Sequence, residues 1–123
     1  MPDYRKLRVH TLAEALSVEV HLLASRFPTR KSPGLVAQVC RAVSSIPANI
    51  AEGAGRESPV RYLQFLYTAR GSAQEASVHL RLAARVDDKR ATAWMRCEQQ
   101  ANVVAAMLVK LIQRIEADEA QKG

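Results

Sequence analysis

Apolar residues return every three or four positions along four stretches of this chain, a period that a helical bundle can bury. In the first stretch Leu12, Leu16, Val20, Leu23 and Phe27 share one face of a helix predicted over residues 7–26. Pro28 ends it, and Pro33-Gly34 completes the loop. The second stretch, 35–53, carries Leu35, Val39, Ala42, Val43, Ile46 and Ile50. Gly53 and Gly55 are expected to stop it, since glycine readily takes the left-handed conformation of a helix C-terminus. Pro47 lies inside it, where it removes a backbone donor and crowds the Val43 carbonyl. The apolar period passes through unbroken, which predicts one kinked helix. The third stretch, 59–85, has Ser58 as N-cap and Pro59 at the first helical position. Its stripe of Tyr62, Leu66, Ala69, Ala73, Ala76, Leu80 and Ala84 is rich in alanine and implies close helix–helix approach. Asp87-Asp88 is predicted to cap the fourth, 88–116, where Cys97, Ala101, Val104, Leu108, Leu111 and Ile115 alternate spacings of four and three. The expectation is one all-α domain over residues 1–123, an antiparallel up-down-up-down four-helix bundle.

Several chemistries lack their residues. His10, His21 and His79 form no HExxH pattern, and no Glu-x-x-His occurs, so neither a zinc protease helix nor a di-iron bundle is written here. Gly53-Ala54-Gly55 lacks the third glycine and preceding strand of a dinucleotide site, and no GK[ST] follows. Cys40 and Cys97 stand alone without metal-ligand spacing and read as reduced, half-buried thiols. The expectation is a protein without catalytic residues, cofactor or metal. No apolar run approaches the roughly 18 residues of a membrane span, and MPDYRKLRVH is followed by no apolar core of a secretory signal. No membrane partner is expected, and cytoplasmic residence is the default.

The faces left after the core is built carry what signal there is. On the second helix Ser45, Asn49, Glu52 and Arg56 form a polar seam at spacings of four, three and four. Glu52 and Arg56 are placed for an i, i+4 ion pair. Ser45 and Asn49 could satisfy backbone groups freed by Pro47, or line a groove with Arg41. Ala37, Ser44, Ala48 and Ala51 make a small-residue face. On the third helix Val78, Leu82 and Gly71 lie opposite the core stripe, a surplus apolar strip that suggests self-association. The formal charge is +6, and residues 26–85 hold nine cations against three glutamates. That excess suggests an anionic partner. Aromatic residues are only 5%, so arginine–phosphate contact is favoured over base stacking. Arg30, Lys31, Arg41, Arg56, Arg61, Arg70 and Arg81 are the candidate phosphate contacts, and the reading requires that they share a surface.

The run RAVSSIPANIAEGAGR followed by SPVRYLQFLYTARGSAQE resembles the signature of the bacterial "four helix bundle protein" family, named for reading frames within intervening sequences of 23S rRNA genes. The resemblance rests on Arg41, Ser45-Ile46-Pro47, Asn49 to Gly53, Arg56, Ser58, Tyr62, Phe65-Leu66, Ala69, Gly71-Ser72 and Glu75, with Phe27-Pro28 upstream. It covers about residues 7–115. The fourth helix is generic, and His10 stands where the family often has an aromatic residue. The resemblance implies an antiparallel four-helix fold and a ring-like homo-oligomer, a pentamer. More distantly the chain is similar to the accessory protein of diversity-generating retroelements, a basic pentameric barrel that binds a reverse transcriptase and nucleic acid; its own signature is absent here. The combined expectation is a non-enzymatic homo-oligomeric bundle that binds structured RNA or DNA. The alternative is a protein–protein assembly or adaptor module whose partner is an unidentified protein.

Overall fold

The computed structural model describes Tyr4 and residues 7–122. Among them are four α-helices: α1 Arg8–Ala24, α2 Leu35–Ala54, α3 Pro59–Val86 and α4 Ala91–Lys122, with one 3-10 turn, Asp88–Arg90, before α4. No described residue is in a strand. Each helix packs on its neighbour in sequence, α1 closes the bundle on α4, and the diagonal pairs do not meet. This is the up-down-up-down arrangement that short connections impose. The fourth helix runs six residues beyond its predicted end at 116, and the first is shorter than predicted.

The core follows the apolar period. Leu16, Val20, Val39, Val43, Ile46, Ile50, Leu66, Leu80, Trp94, Val104 and Leu108 are fully buried. On α4 the predicted heptad drifts: Ile112 is buried, while Leu111 and Ile115 are only partly covered. A straight helix turns away from a 3.5-residue seam by about 20° per heptad. In addition α1 begins only one turn beyond Leu12, which faces Val103 and Val104, whereas α4 runs on for about five more turns. The α1-facing side of α4 therefore loses its cover before the helix ends.

The α2–α3 contact is close at Gly53. A Cβ at Gly53 would lie 2.8 Å from Phe65 Cβ, 2.9 Å from Tyr62 Cδ1 and 3.2 Å from the Tyr62 carbonyl oxygen. Gly53 is thus required for close approach. The expected left-handed helix stop is absent there: Gly55 has φ −81°, and the only positive φ among the described residues is that of Gly34, at 92°, which opens α2. Farther along, Ala69, Ala73 and Ala76 are fully buried, and Ser45 Oγ shares a 2.8 Å hydrogen bond with Ser72 Oγ across the same interface. The second helix continues through Pro47.

Gly53→Ala tests this contact. Alanine is the better helix former by about 1 kcal/mol, yet overpacking here should outweigh it and destabilise the fold by about 1–3 kcal/mol. A urea melt followed by the fluorescence of Trp94, the single tryptophan, measures the sign.

Candidate nucleic-acid interface

The polar seam on α2 is bracing. Asn49 Nδ2 donates to the Ser45 carbonyl at 2.8 Å and to Ser45 Oγ at 2.9 Å, and Ser45 passes the network to Ser72. The bonds run to Ser45 and α3 rather than to the Val43 carbonyl freed by Pro47. Glu52 and Arg56 form the expected ion pair at 2.6 Å. Both are about half exposed, so the pair contributes only a few tenths of a kcal/mol, about 0.3–0.5. No groove with Arg41 is formed by this seam: Arg41 is exposed on the outer side of α2.

The seven predicted phosphate contacts do not share one surface. Arg30 and Lys31 are exposed in the α1–α2 loop, and Arg81 lines a groove with Arg85, Met95 and Glu98. Arg56 and Arg61 are at the far end of the molecule, on either side of the α2–α3 turn, with their guanidiniums 5.3 and 5.8 Å from the Phe65 ring centroid. Arg70 lies over Tyr67 at 5.0 Å, with its Nε buried and unpartnered, while Tyr67 donates to Glu116 at 2.5 Å.

What the fold does gather is a basic end. Antiparallel packing sets the α1–α2 loop beside the α3–α4 junction, where Phe27 meets Trp94 edge-on at 6.0 Å. Arg26 and Arg96 line one groove with Leu22, Leu23, Ala93 and Glu19. Arg96 and Met95 line the next, and Met95 leads on to Arg81 and Arg85. With Arg30, Lys31 and Lys89 in the adjoining loops, this is a belt across α1, α4 and α3. Among the described residues Arg26, Arg30, Lys31, Arg81, Arg85, Lys89 and Arg96 have no carboxylate within ion-pair distance. Arg26 and Arg85 belong to the basic middle of the sequence, but nothing in their spacing marks them out. Lys89 and Arg96 escape a sequence reading because they lie in the part of the chain whose charges cancel. The readable signal is topological, since an antiparallel bundle brings residues 26–34 beside residues 85–96.

A buried carboxylate ties this end together. Asp87 is 2% exposed. Its Oδ2 accepts the indole N–H of Trp94 at 2.9 Å and its Oδ1 accepts from Arg90 at 3.0 Å. The expected capping role is therefore corrected: Asp87 makes no side-chain cap bond, and its carboxylate turns inward to the indole. A fully buried Trp needs an acceptor for its N–H, and a buried carboxylate needs donors. Each meets the other's requirement here.

Other polar groups are inert or apart. Cys97 is buried, and desolvation, with Glu19 nearby, pushes its thiol up to about 12; burial also raises Cys40. Neither is a poised thiolate. His10 is buried against the edge of Tyr4, in the position of an aromatic residue. Among the described residues no three His, Cys, Asp or Glu side chains gather in metal-binding reach, and no helix is long and apolar enough to cross a membrane. The α1–α4 seam opens into a largely apolar cavity of ≈330 Å³ lined by Leu12, Ala15, Val103 and Val104, with Glu19 and Arg96 at its edge.

The model of one family, described as the 23S rRNA-intervening sequence protein, matches residues 5–110. The fold is similar to the crystal structure of a protein of unknown function from the S23 ribosomal protein family of Bacteroides thetaiotaomicron VPI-5482. The TM-score is 0.75 at 22% identity, over 85% of this chain and 97% of that one. At that identity the likeness is one of fold. No curated protein matches the chain.

Asp87→Ala should destabilise the fold by about 2–4 kcal/mol, because it strands a buried indole N–H and frees Arg90. Asp87→Asn, which keeps an acceptor for Trp94, should cost less. Thermal melts give the ranking, and the Trp94 emission maximum should shift further in the alanine variant than in the asparagine variant.

Proposed function

The chain belongs to the 23S rRNA-intervening sequence protein family, and we propose that it is a non-enzymatic, self-associating helical bundle that binds structured RNA or DNA through its basic end. The observation that carries this reading is the cluster of Arg26, Arg30, Lys31, Arg81, Arg85, Lys89 and Arg96, seven cations against Glu19, Asp88 and Glu98 in the same grooves and turn, with no ion pair between them among the described residues. Long cationic side chains on an exposed end attract phosphates with little base selectivity. The rigid Asp87–Trp94–Phe27 base beneath them fixes the two connections that present the charge. Arg56, Arg61 and Arg70 lie away from this end and Arg41 is exposed on the outer side of α2, so those four are left out of the main surface.

Self-association is supported by Gly71. It sits in the exposed middle of α3, and nothing lies within 4 Å of where its Cβ would be. Glycine in a helix interior costs about 1 kcal/mol relative to alanine, and the protomer offers no reason for it. A second chain packed against α3 would supply one. Val78 and Leu82 follow it on the same outward ridge, 59% and 45% exposed, and Val60 precedes it. A surface of this kind, meeting a different patch on the next copy, closes a ring; the sequence resemblance implies a pentamer. The same ridge would serve a protein-only assembly module, the second reading.

Two measurements test these statements. Titration against a 23S rRNA hairpin and duplex DNA at several salt concentrations should show log K falling linearly with log salt. Replacing Arg26, Arg30, Lys31, Arg85 and Arg96 by Gln should flatten the slope by about 0.9 for each duplex phosphate that is no longer neutralised. Absence of binding at low salt by the parent protein would sink the nucleic-acid reading, and capture of a protein partner that survives nuclease and high salt would favour the second. Separately, Gly71→Ala should stabilise the isolated protomer by about 0.5–1 kcal/mol yet weaken assembly seen by light scattering, as should Val78→Asp. A monomer at micromolar concentration in the parent protein would refute self-association.

A further inference from the structure

Away from the basic end, two cations converge on one aromatic ring. Arg56 follows the end of α2 and Arg61 lies in the first turn of α3, and both guanidiniums sit against Phe65. The root of that ring is fixed, because its Cβ is packed against the backbone at Gly53. Phe65 is half-buried, so the ring is offered at the surface and the guanidiniums hold to it by their attraction to its π face. Glu52 takes one N–H of Arg56, and Gln64 takes one of Arg61 at 3.2 Å. A guanidinium has five N–H groups, so most of the donors on both remain open to a ligand. Among the described residues Glu52 is the one carboxylate paired within this group, leaving a surplus positive charge. Two planar forks held to one ring, with unspent donors, match a tetrahedral oxyanion better than a carboxylate, which one fork alone satisfies.

We propose that Arg56 and Arg61, both resting on Phe65, form a clamp for a single phosphate group. Its source is the nucleic-acid backbone, in which respect the inference rests on the function proposed above. The clamp and Arg85 are separated by about 36 Å along α3, at 1.5 Å per residue. The clamp is therefore a second anchoring point, separate from the basic end, and it reports on a different stretch of the ligand.

The test uses the full chain labelled at arginine Nε. Titration with inorganic phosphate, and in a second sample with a short duplex, should shift the Nε–H signals of Arg56 and Arg61 together. Phe65→Leu keeps both charges and the Cβ contact with Gly53, and it should weaken the phosphate response at least tenfold. The double variant Arg56→Gln/Arg61→Gln should lower the salt slope for duplex by about 0.9, one phosphate contact. Trp94 emission confirms that each variant is folded. Duplex binding with affinity and slope unchanged in the double variant would overturn the clamp and leave the function standing. Shifts with inorganic phosphate but no duplex binding by the parent would uphold the clamp, reassign its phosphate to a free anion, and overturn the nucleic-acid reading. Silence of both arginines in both titrations would overturn the clamp.

Discussion

The backbones of α2 and α3 meet at Gly53 more closely than any side chain at that position would permit. Much of the molecule follows from this. Beyond it Ala69, Ala73 and Ala76 keep the core face of α3 small, and Ser45 and Ser72 bond across from one helix to the other. Pro47, which would weaken an isolated helix, is carried because the turn containing it is pressed against a neighbour and held by Asn49. The same contact fixes the root of Phe65 and hence the arginines that rest on its ring.

At the opposite end the governing interaction is polar and buried. Asp87, Trp94 and Arg90 satisfy one another where α3 turns into α4, and Phe27 packs onto the indole from the neighbouring loop. Such a network adds little net stability when complete, but it is costly when broken and admits few alternative arrangements. It ties the two connections to one another. The long cationic side chains around it are thereby carried on a braced base.

The helices are largely legible in the sequence because each rests on a local rule. The apolar period over residues 35–54 survives its proline, Ser58-Pro59 starts α3, and the alanine stripe announces close packing. The misreadings share a cause. By local rules Gly53 is a helix stop and Asp87 a cap, whereas the fold uses both in contacts between elements. Leu111 and Ile115 fit a heptad on paper, but their cover depends on how far the neighbouring helix extends.

The candidate site shows the same division. The charge excess and its amino-acid basis are sequence properties, as is the i, i+4 pairing of Glu52 with Arg56. Which cations stand together is not, because Arg26 and Arg96 are seventy positions apart and become neighbours only when α1 and α4 pack antiparallel. By itself the sequence determined four amphipathic helices, their order and the family signature, since periodicity, capping and turn chemistry act over a few residues. Only the tertiary structure decided where α2 and α3 touch, which carboxylate is buried, and at which end the positive charge collects. Those outcomes depend on distances between residues that no local rule connects.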